Sequence, residues 1–269
     1  GGINKVEKIS AEDFKNISFD MLKHFAGLCE KHNLRYVLDY GTLLGAIRHG
    51  DFIPWDDDID VTMPREDYNK LGEITKTNPR SLGEYYRLAS YDNEYSVHKA
   101  YYNIVDIRTI TVSPYRMKRY YYPIWIDVFP MDIMPDDNAQ ADQIYNECAE
   151  LAHAAQACVN AGYGRLKYFR RFKNLINMHN QLAMFKELDR LAQSIKMGGR
   201  LTQYLCPDGV IDDISYFSYY EDFIPWKFRD TNFRVPRNYD ERLTCVYGDY
   251  MTLPPVEKRV SHVTEAYWK

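Results

Sequence analysis

The sequence has no CxxC pair, no apolar run of roughly 18 residues and no excess of basic charge, and each absence removes a class of function. Its five cysteines, Cys29, Cys148, Cys158, Cys206 and Cys245, are odd in number and scattered. Neither a zinc knuckle nor a disulfide framework is supported, and a reducing compartment is expected. A net charge of −4 lacks the basic surface that dominates binding to nucleic acid, so no such partner is expected. No segment is expected to span a membrane, and the absence of an export signal points to a cytoplasmic location. The chain opens on Gly1-Gly2 rather than Met, as after processing, so a native segment is expected to precede it. Internal repeats, low-complexity tracts and linkers are also missing.

What is present suits a globular chain of 269 residues with a substantial core, being 45% hydrophobic and 27% charged. Aromatic content reaches 15%, with 24 tyrosines, which favours stacking and cation–π contacts alongside plain packing. Apolar residues Phe14, Ile17, Met21, Phe25, Leu28 and Cys29 recur at helical spacing, and Ser10 is placed to cap that helix. "RYVLDY" reads as a buried strand ended by Gly41, after which Thr42 is expected to cap a short helix closed by Gly50. "DIDVTM" alternates as a strand that Pro64 stops, and a helix is expected over 65–76.

Three β-rich stretches follow: "YYRLAS", "HKAYYNIVDIRTITVS" and "PIWIDVFPMDIM". Two long helices, joined around "NAGYGR", are expected from 138 to about 197. The last part returns to short aromatic strands, a helix over "YDERLTCVYGDY" and a proline-rich tail. We divide the chain into a core (1–137), a helical insertion (138–200) that either shapes acceptor recognition or buttresses the core, and a segment (201–269) packing back on the core.

The densest chemistry lies in "PWDDDIDV". On a strand, Asp58 and Asp60 point to one face while Ile59 and Val61 face the core. Two carboxylates so close raise each other's pKa unless a cation lies between them, and a hard divalent ion is the natural one. Asp56 shares that face if the extended chain reaches back to it, and Asp57 should turn away. Gly41-Thr42 opens a helix just before, and a helix start suits a phosphate. Asp127, alone in the apolar "IWIDVFP", is costly unless paired or metal-bound. If its strand lies beside that of Asp58 and Asp60, the three carboxylates converge.

A GT helix start, an hDxDh strand and a later acidic strand together resemble the nucleotidyltransferase (polymerase-β-like) fold, a mixed-sheet α/β (α+β) core. The longer series "GTLLGAIRHGDFIPWDDDIDV", "IDVFPMD" and "VYGDYMTLPP", with "KR" and a histidine after it, resembles the LicD family. That family includes bacterial phosphocholine transferases and is related to fukutin and fukutin-related protein. The motifs span residues 36 to 262, essentially the whole chain.

The resemblance implies transfer of a phospho-alcohol group from a CDP-linked donor to a hydroxyl of a glycan or lipid-linked glycan, with CMP released. Mg²⁺, or alternatively Mn²⁺, would be the cofactor, and loose attachment to a membrane face is compatible with such an acceptor. By position, Gly41 and Thr42 match the phosphate-cradling helix start, Asp58 and Asp60 the metal pair, and Asp127 the third carboxylate and proton acceptor; Asp56 is a further candidate ligand. Charge on the phosphoryl oxygens calls for cations, for which Arg48, His49, Lys99, Arg108, Arg259 and His262 are the candidates. Tyr120, Tyr121, Tyr122, Trp125 and Trp55 are candidate faces for a quaternary ammonium. The head group stays open among phosphocholine, phosphoethanolamine, an aminoalkylphosphonate, and glycerol or ribitol phosphate. Three rivals stand beside this reading: a DxD glycosyltransferase, a nucleotidyltransferase releasing pyrophosphate, and a non-catalytic calcium-binding module.

Overall fold

A computed structural model describes residues 7–96, 98–112, 122–160, 167–207, 214–215, 221–259 and 265–269. After β1 (Lys8–Ile9), α1 (Ala11–His32) buries the predicted stripe, including Phe14, Met21, Phe25 and Cys29. Ser10 caps it by accepting the Asp13 N–H at 3.0 Å, and Asn33 ends it in the left-handed region at φ 52°.

β2 is only Val37–Leu38, shorter than the expected run to Tyr40. The chain turns at Asp39, and Tyr40 takes a positive φ of 45°, so the strand cannot continue. α2 (Tyr40–His49) therefore starts before Thr42, and the expected cap is corrected: the Asp39 carboxylate accepts the Tyr40 N–H at 2.7 Å. Gly45 lets α2 lie against the following loop, because a Cβ there would stand 2.7 Å from the Asp51 carbonyl oxygen.

β3 (Asp60–Pro64) passes into α3 (Arg65–Thr77). The three β-rich stretches become β4 (Tyr86–Ala89), β5 (Tyr102–Val112) and β6 (Tyr122–Met134). The helical pair is α4 (Asn138–Asn160) and α5 (Lys167–Ala192), and the predicted junction at 161–165 lies outside the described residues. Then come β7 (Arg200–Thr202), β8 (Ile214–Ser215), the hairpin β9 (Phe223–Phe228) and β10 (Thr231–Pro236), α6 (Tyr239–Tyr247) and β11 (Glu265–Trp268).

The main sheet runs β1-β11-β5-β6-β3-β2, with β4 added to β5, β7 to β6 and β8 to β7. β3 and β6 are parallel and their neighbours antiparallel, so the sheet is mixed and the fold α/β, as expected. Ile104, Ile124, Ile126 and Val128 turn to one face and join the core made with α1 and α3. Alternation sends Asn103, Trp125, Asp127 and Phe129 to the other face, where Phe129 packs into the core of the helical pair. Arg65 ties that pair to the sheet: its guanidinium reaches both Asp132 oxygens at 2.7 Å and Asp189 of α5 at 2.7 Å.

The C-terminal segment is woven into the core. Phe228, Phe233 and Val235 join the cluster around α1, the Trp226 indole donates to the Ala46 carbonyl at 3.1 Å, and β11 inserts between β1 and β5.

Candidate active site

Strand register builds the site. Asp60 pairs with Asp127 across β3 and β6, and Asn103 pairs with Asp127 across β5 and β6. Side chains directly opposite one another share a face, so the three form a row across adjacent strands. The Ile59 carbonyl accepts the Asp127 N–H at 2.8 Å, extending this contact back toward the acidic loop.

The strand begins at Asp60, so Asp56 and Asp58 lie in the preceding loop and reach the site by its turn rather than by alternation. The Ile53 carbonyl accepts the Asp56 N–H at 2.9 Å, and the Asp56 carboxylate accepts the Asp57 N–H at 3.1 Å. The carboxyl groups of Asp56 and Asp58 lie within hydrogen-bonding reach of each other. Two carboxylates that close repel unless a proton or a cation lies between them. Burial pushes Asp56 above the usual carboxylate range, and the charge of Asp57 adds to it. Burial first, then the charges of Asp58, Asp127 and Asp56, push Asp60 well up, with Lys99 acting against them.

Asp127 is held from both sides. The Lys99 ammonium donates to its oxygens at 2.7 and 2.9 Å, and the Asn103 amide donates to Oδ1. Lys99 also stands 5.1 Å from the centre of the Tyr101 ring and 5.0 Å from that of Trp125. The cation these rings face is thus Lys99, and Tyr122, one of the candidate faces for a quaternary ammonium, is buried at 5% exposure. Tyr120 and Tyr121 lie outside the described residues.

α2 holds the acidic loop in place. The Thr42 hydroxyl accepts the Asp60 N–H at 2.8 Å, and the Asp39 N–H donates to the Asp60 carbonyl at 3.1 Å. A Cβ at Gly41 would come within 2.7 Å of Asp56 Oδ2, so any other residue here must push that carboxylate aside. Beneath them Arg242 of α6 donates to Asp39 at 3.0 and 3.1 Å, both side chains almost fully buried. Tyr40, in its strained conformation, donates to Gln203 Oε1 at 3.2 Å and has Arg242 4.8 Å from its ring centre.

At the far end of α2 the cations gather around Trp55. The Arg259 guanidinium lies 4.9 Å from the Trp55 ring centre, and the His49 ring stands edge-on to it at 6.5 Å. Arg48 donates to His49 Nε2 at 3.0 Å and to the Tyr250 carbonyl at 2.6 Å. Burial lowers the Arg48 pKa, the proximity of Arg259 adding to it while Tyr247 opposes it. Burial and then Arg48 lower that of His49, which favours its neutral form. Among the described residues neither Arg48 nor Arg259 has a carboxylate partner, and Arg259 donates through Nε to the Pro254 carbonyl at 2.9 Å. Tyr247 is 42% exposed, yet partial loss of water at its hydroxyl and then the charges of Asp60, Asp39 and Asp56 push its phenol up.

The structure does not bring Arg108 here. Its guanidinium is taken by Asp106 at 2.9 Å through Nε, and it stacks over Tyr85 at 4.1 Å, on the Asp106 side of β5 away from Asn103. His262 lies outside the described residues. Sequence reasoning passed over Asp39, Asn103, Arg242 and Tyr247. Asn103 carried the same signal as Asp127, a polar residue in an apolar strand, and Asp39 that of a helix cap.

The oxygen-rich set suits a hard cation such as Mg²⁺, and the crowding of Asp56, Asp58 and Asp60, which adds to burial in pushing the Asp60 pKa up, fits it. Among the described residues no three acidic, histidine or cysteine side chains already stand as ligands around one point. Asp127 is meanwhile neutralised by Lys99, so Asp56, Asp58 and Asp60 are the better candidates for ligands.

A family model described as LicD/FKTN/FKRP, nucleotidyltransferase domain, matches residues 33–145, the stretch holding the acidic row. The chain is similar to the lipopolysaccharide cholinephosphotransferase LicD of Haemophilus influenzae, at 30% identity over 97% of this chain and 99% of that protein. It is also similar to the ribitol 5-phosphate transferase FKRP of Homo sapiens, at 49% identity over 19% of this chain and 10% of that protein. With acidic row, helix start and C-terminal helix all inside a match running nearly end to end, the chain belongs to the LicD family.

Proposed function

We propose that the protein moves a phospho-alcohol group from a CDP-linked donor to a glycan hydroxyl, releasing CMP, with Mg²⁺ at Asp58, Asp60 and Asp56. The carrying observation is the row Asp60–Asp127–Asn103 across adjacent strands in a chain similar along its length to a cholinephosphotransferase. A cholinephosphotransferase and a ribitol 5-phosphate transferase both transfer an alcohol's phosphate ester, which supports the same reaction class here. Bound Mg²⁺ would neutralise the donor diphosphate and ease ionisation of the acceptor hydroxyl.

The chain's own residues supply the rest. Arg48 and Arg259 bind the diphosphate and stabilise charge on the phosphoryl oxygens, and Trp55 fixes the Arg259 plane. α2 spans about 10 Å from Gly41 to Arg48, within reach of an arginine side chain. Asp127, oriented by Asn103, takes the acceptor proton, and Lys99 holds the carboxylate in place. Gly41 and Thr42 set the acidic loop, and Asp39 and Arg242 fix the helix that carries them.

A screen of CDP-alcohols with Mg²⁺ or Mn²⁺, reading CMP release, tests this. CMP from one or more of them is expected. Turnover of UDP- or GDP-sugars alone would favour the glycosyltransferase reading, and pyrophosphate as product the nucleotidyltransferase reading.

A further inference from the structure

A cleft of about 720 Å³ opens between α3, the turn over 90–95 and the C-terminal end of α5, apart from the carboxylates. Tyr91, Tyr95 and Tyr102, all half-buried, line it together with Asn69, Asp92 and Gln193. The rings are held in position: Tyr102 stacks on Tyr68 at 3.9 Å and 8°, and Tyr91 packs against Phe185 at 6.0 Å. The polar groups are planar and preset, since Asn69 donates to Gln193 Oε1 at 3.1 Å and Asp92 accepts from the Ser90 hydroxyl at 2.7 Å.

The cleft and the carboxylates share a wall one chain thick. Along 99–103, Lys99 and Asn103 turn to Asp127, whereas Ala100 and Tyr102 turn to the cleft. A ligand that rounds this edge reaches both.

The lining selects the ligand's chemistry. A phosphate would need cations aimed inward, but the Arg87 guanidinium is engaged by the carbonyls of Gly83 at 3.2 Å and Tyr86 at 2.7 Å, and Lys76 is exposed to solvent. A cationic ligand would need uncompensated carboxylates held inside, whereas Asp189 is already paired with Arg65 at 2.7 Å and Glu73, Asp92 and Glu94 are exposed to solvent. A pyranose suits what remains, because its C–H face packs on an aromatic ring while its hydroxyl rim needs both donors and acceptors, which amides and carboxylates supply. We infer that this cleft is a saccharide subsite, binding the acceptor glycan away from the hydroxyl that reacts. The acceptor role rests on the proposed function; saccharide binding itself does not.

Saturation-transfer NMR of the full chain with hexose and N-acetylhexosamine di- to tetrasaccharides, and with choline as control, tests the inference. Wild type should give sugar signals, and Asn69→Ala and Tyr91→Ala should lose most of them. Gln193→Ala, a change in a side-chain amide, guards against misfolding, and melting curves check all three. With a glycan acceptor, the variants should raise its KM about tenfold and leave CMP release from the donor alone unchanged. No sugar signal from wild type, or signals that persist in correctly folded variants, would overturn the inference. A choline signal lost in the variants would also overturn it, making the cleft a head-group pocket. Sugar binding that behaves as expected in a protein that consumes no CDP-alcohol would leave the subsite standing and sink the proposed function instead.

Discussion

Asp60 is more stable protonated than a free carboxyl group, because burial and three neighbouring carboxylates oppose its charge. A folded-state pKa above the unfolded value means that ionisation costs the folded state, and the cost grows as pH rises past the unfolded value near 3.8. Asp60→Asn should therefore raise the melting temperature of metal-free protein at pH 7 to 8, and the gain should vanish as pH falls toward about 4. The same substitution should abolish transfer, as should Asp58→Asn. Melting curves across pH with EDTA, set beside activity with Mg²⁺, check both effects. Arg48→Ala and Arg259→Ala should instead raise the donor KM about tenfold, a loss of roughly 1.4 kcal/mol of binding. Steady-state kinetics that leave the donor KM unchanged would remove the arginines from the diphosphate site. The acidic run drew attention to Asp60 and the oddity of a carboxylate in an apolar strand to Asp127, but Asp58, expected on the strand by alternation, lies in the loop before it. The partners of Asp127 were not legible, because register between distant strands decides them.

α2 is the element on which the site hangs, and its two ends were read differently. Its C-terminal glycine and the arginine before it were legible, but its start was placed at Thr42, since "RYVLDY" looks like one strand. Asp39 can cap, yet it does so only because Tyr40 adopts a strained φ, and nothing in the residue type announces that. Arg242, about 200 positions away, completes the start by pairing with Asp39, and such a pair leaves no local pattern. Arg242→Met should cost about 3–5 kcal/mol by leaving Asp39 buried without its partner, measurable by denaturant unfolding. Gly41→Ala should act more narrowly, displacing Asp56 and lowering activity at least tenfold while the melting temperature changes little. Full activity in that variant would show that the Asp56 loop is free to move aside. The helical pair was legible by periodicity, but its attachment was not: Arg65, the first residue of α3, closes on Asp132 and Asp189 from two other elements. Arg65→Met should loosen α5, seen as faster hydrogen exchange along 179–192 than along α1.

For the molecule as a whole, the sheet joins both ends of the described chain. β1 pairs with β11 and β11 with β5, so the C-terminal segment belongs to the fold that carries the site. Motifs scattered from Gly41 to Trp268 are therefore carried by one sheet and the helices packed on it. Among the described residues no helix is long and apolar enough to cross a membrane. A donor that binds only the folded state must stabilise all of it, so the right CDP-alcohol with Mg²⁺ should raise the melting temperature by several degrees, equivalent to about 2.7 kcal/mol at a hundredfold excess over Kd. Phosphorus NMR of wild type and Asp60→Asn incubated with CDP-choline, Mg²⁺ and a glycan acceptor tests the central claim most directly. Wild type should yield CMP and a new phosphodiester while Asp60→Asn yields neither; pyrophosphate as the product, or the same conversion by the variant, would contradict it.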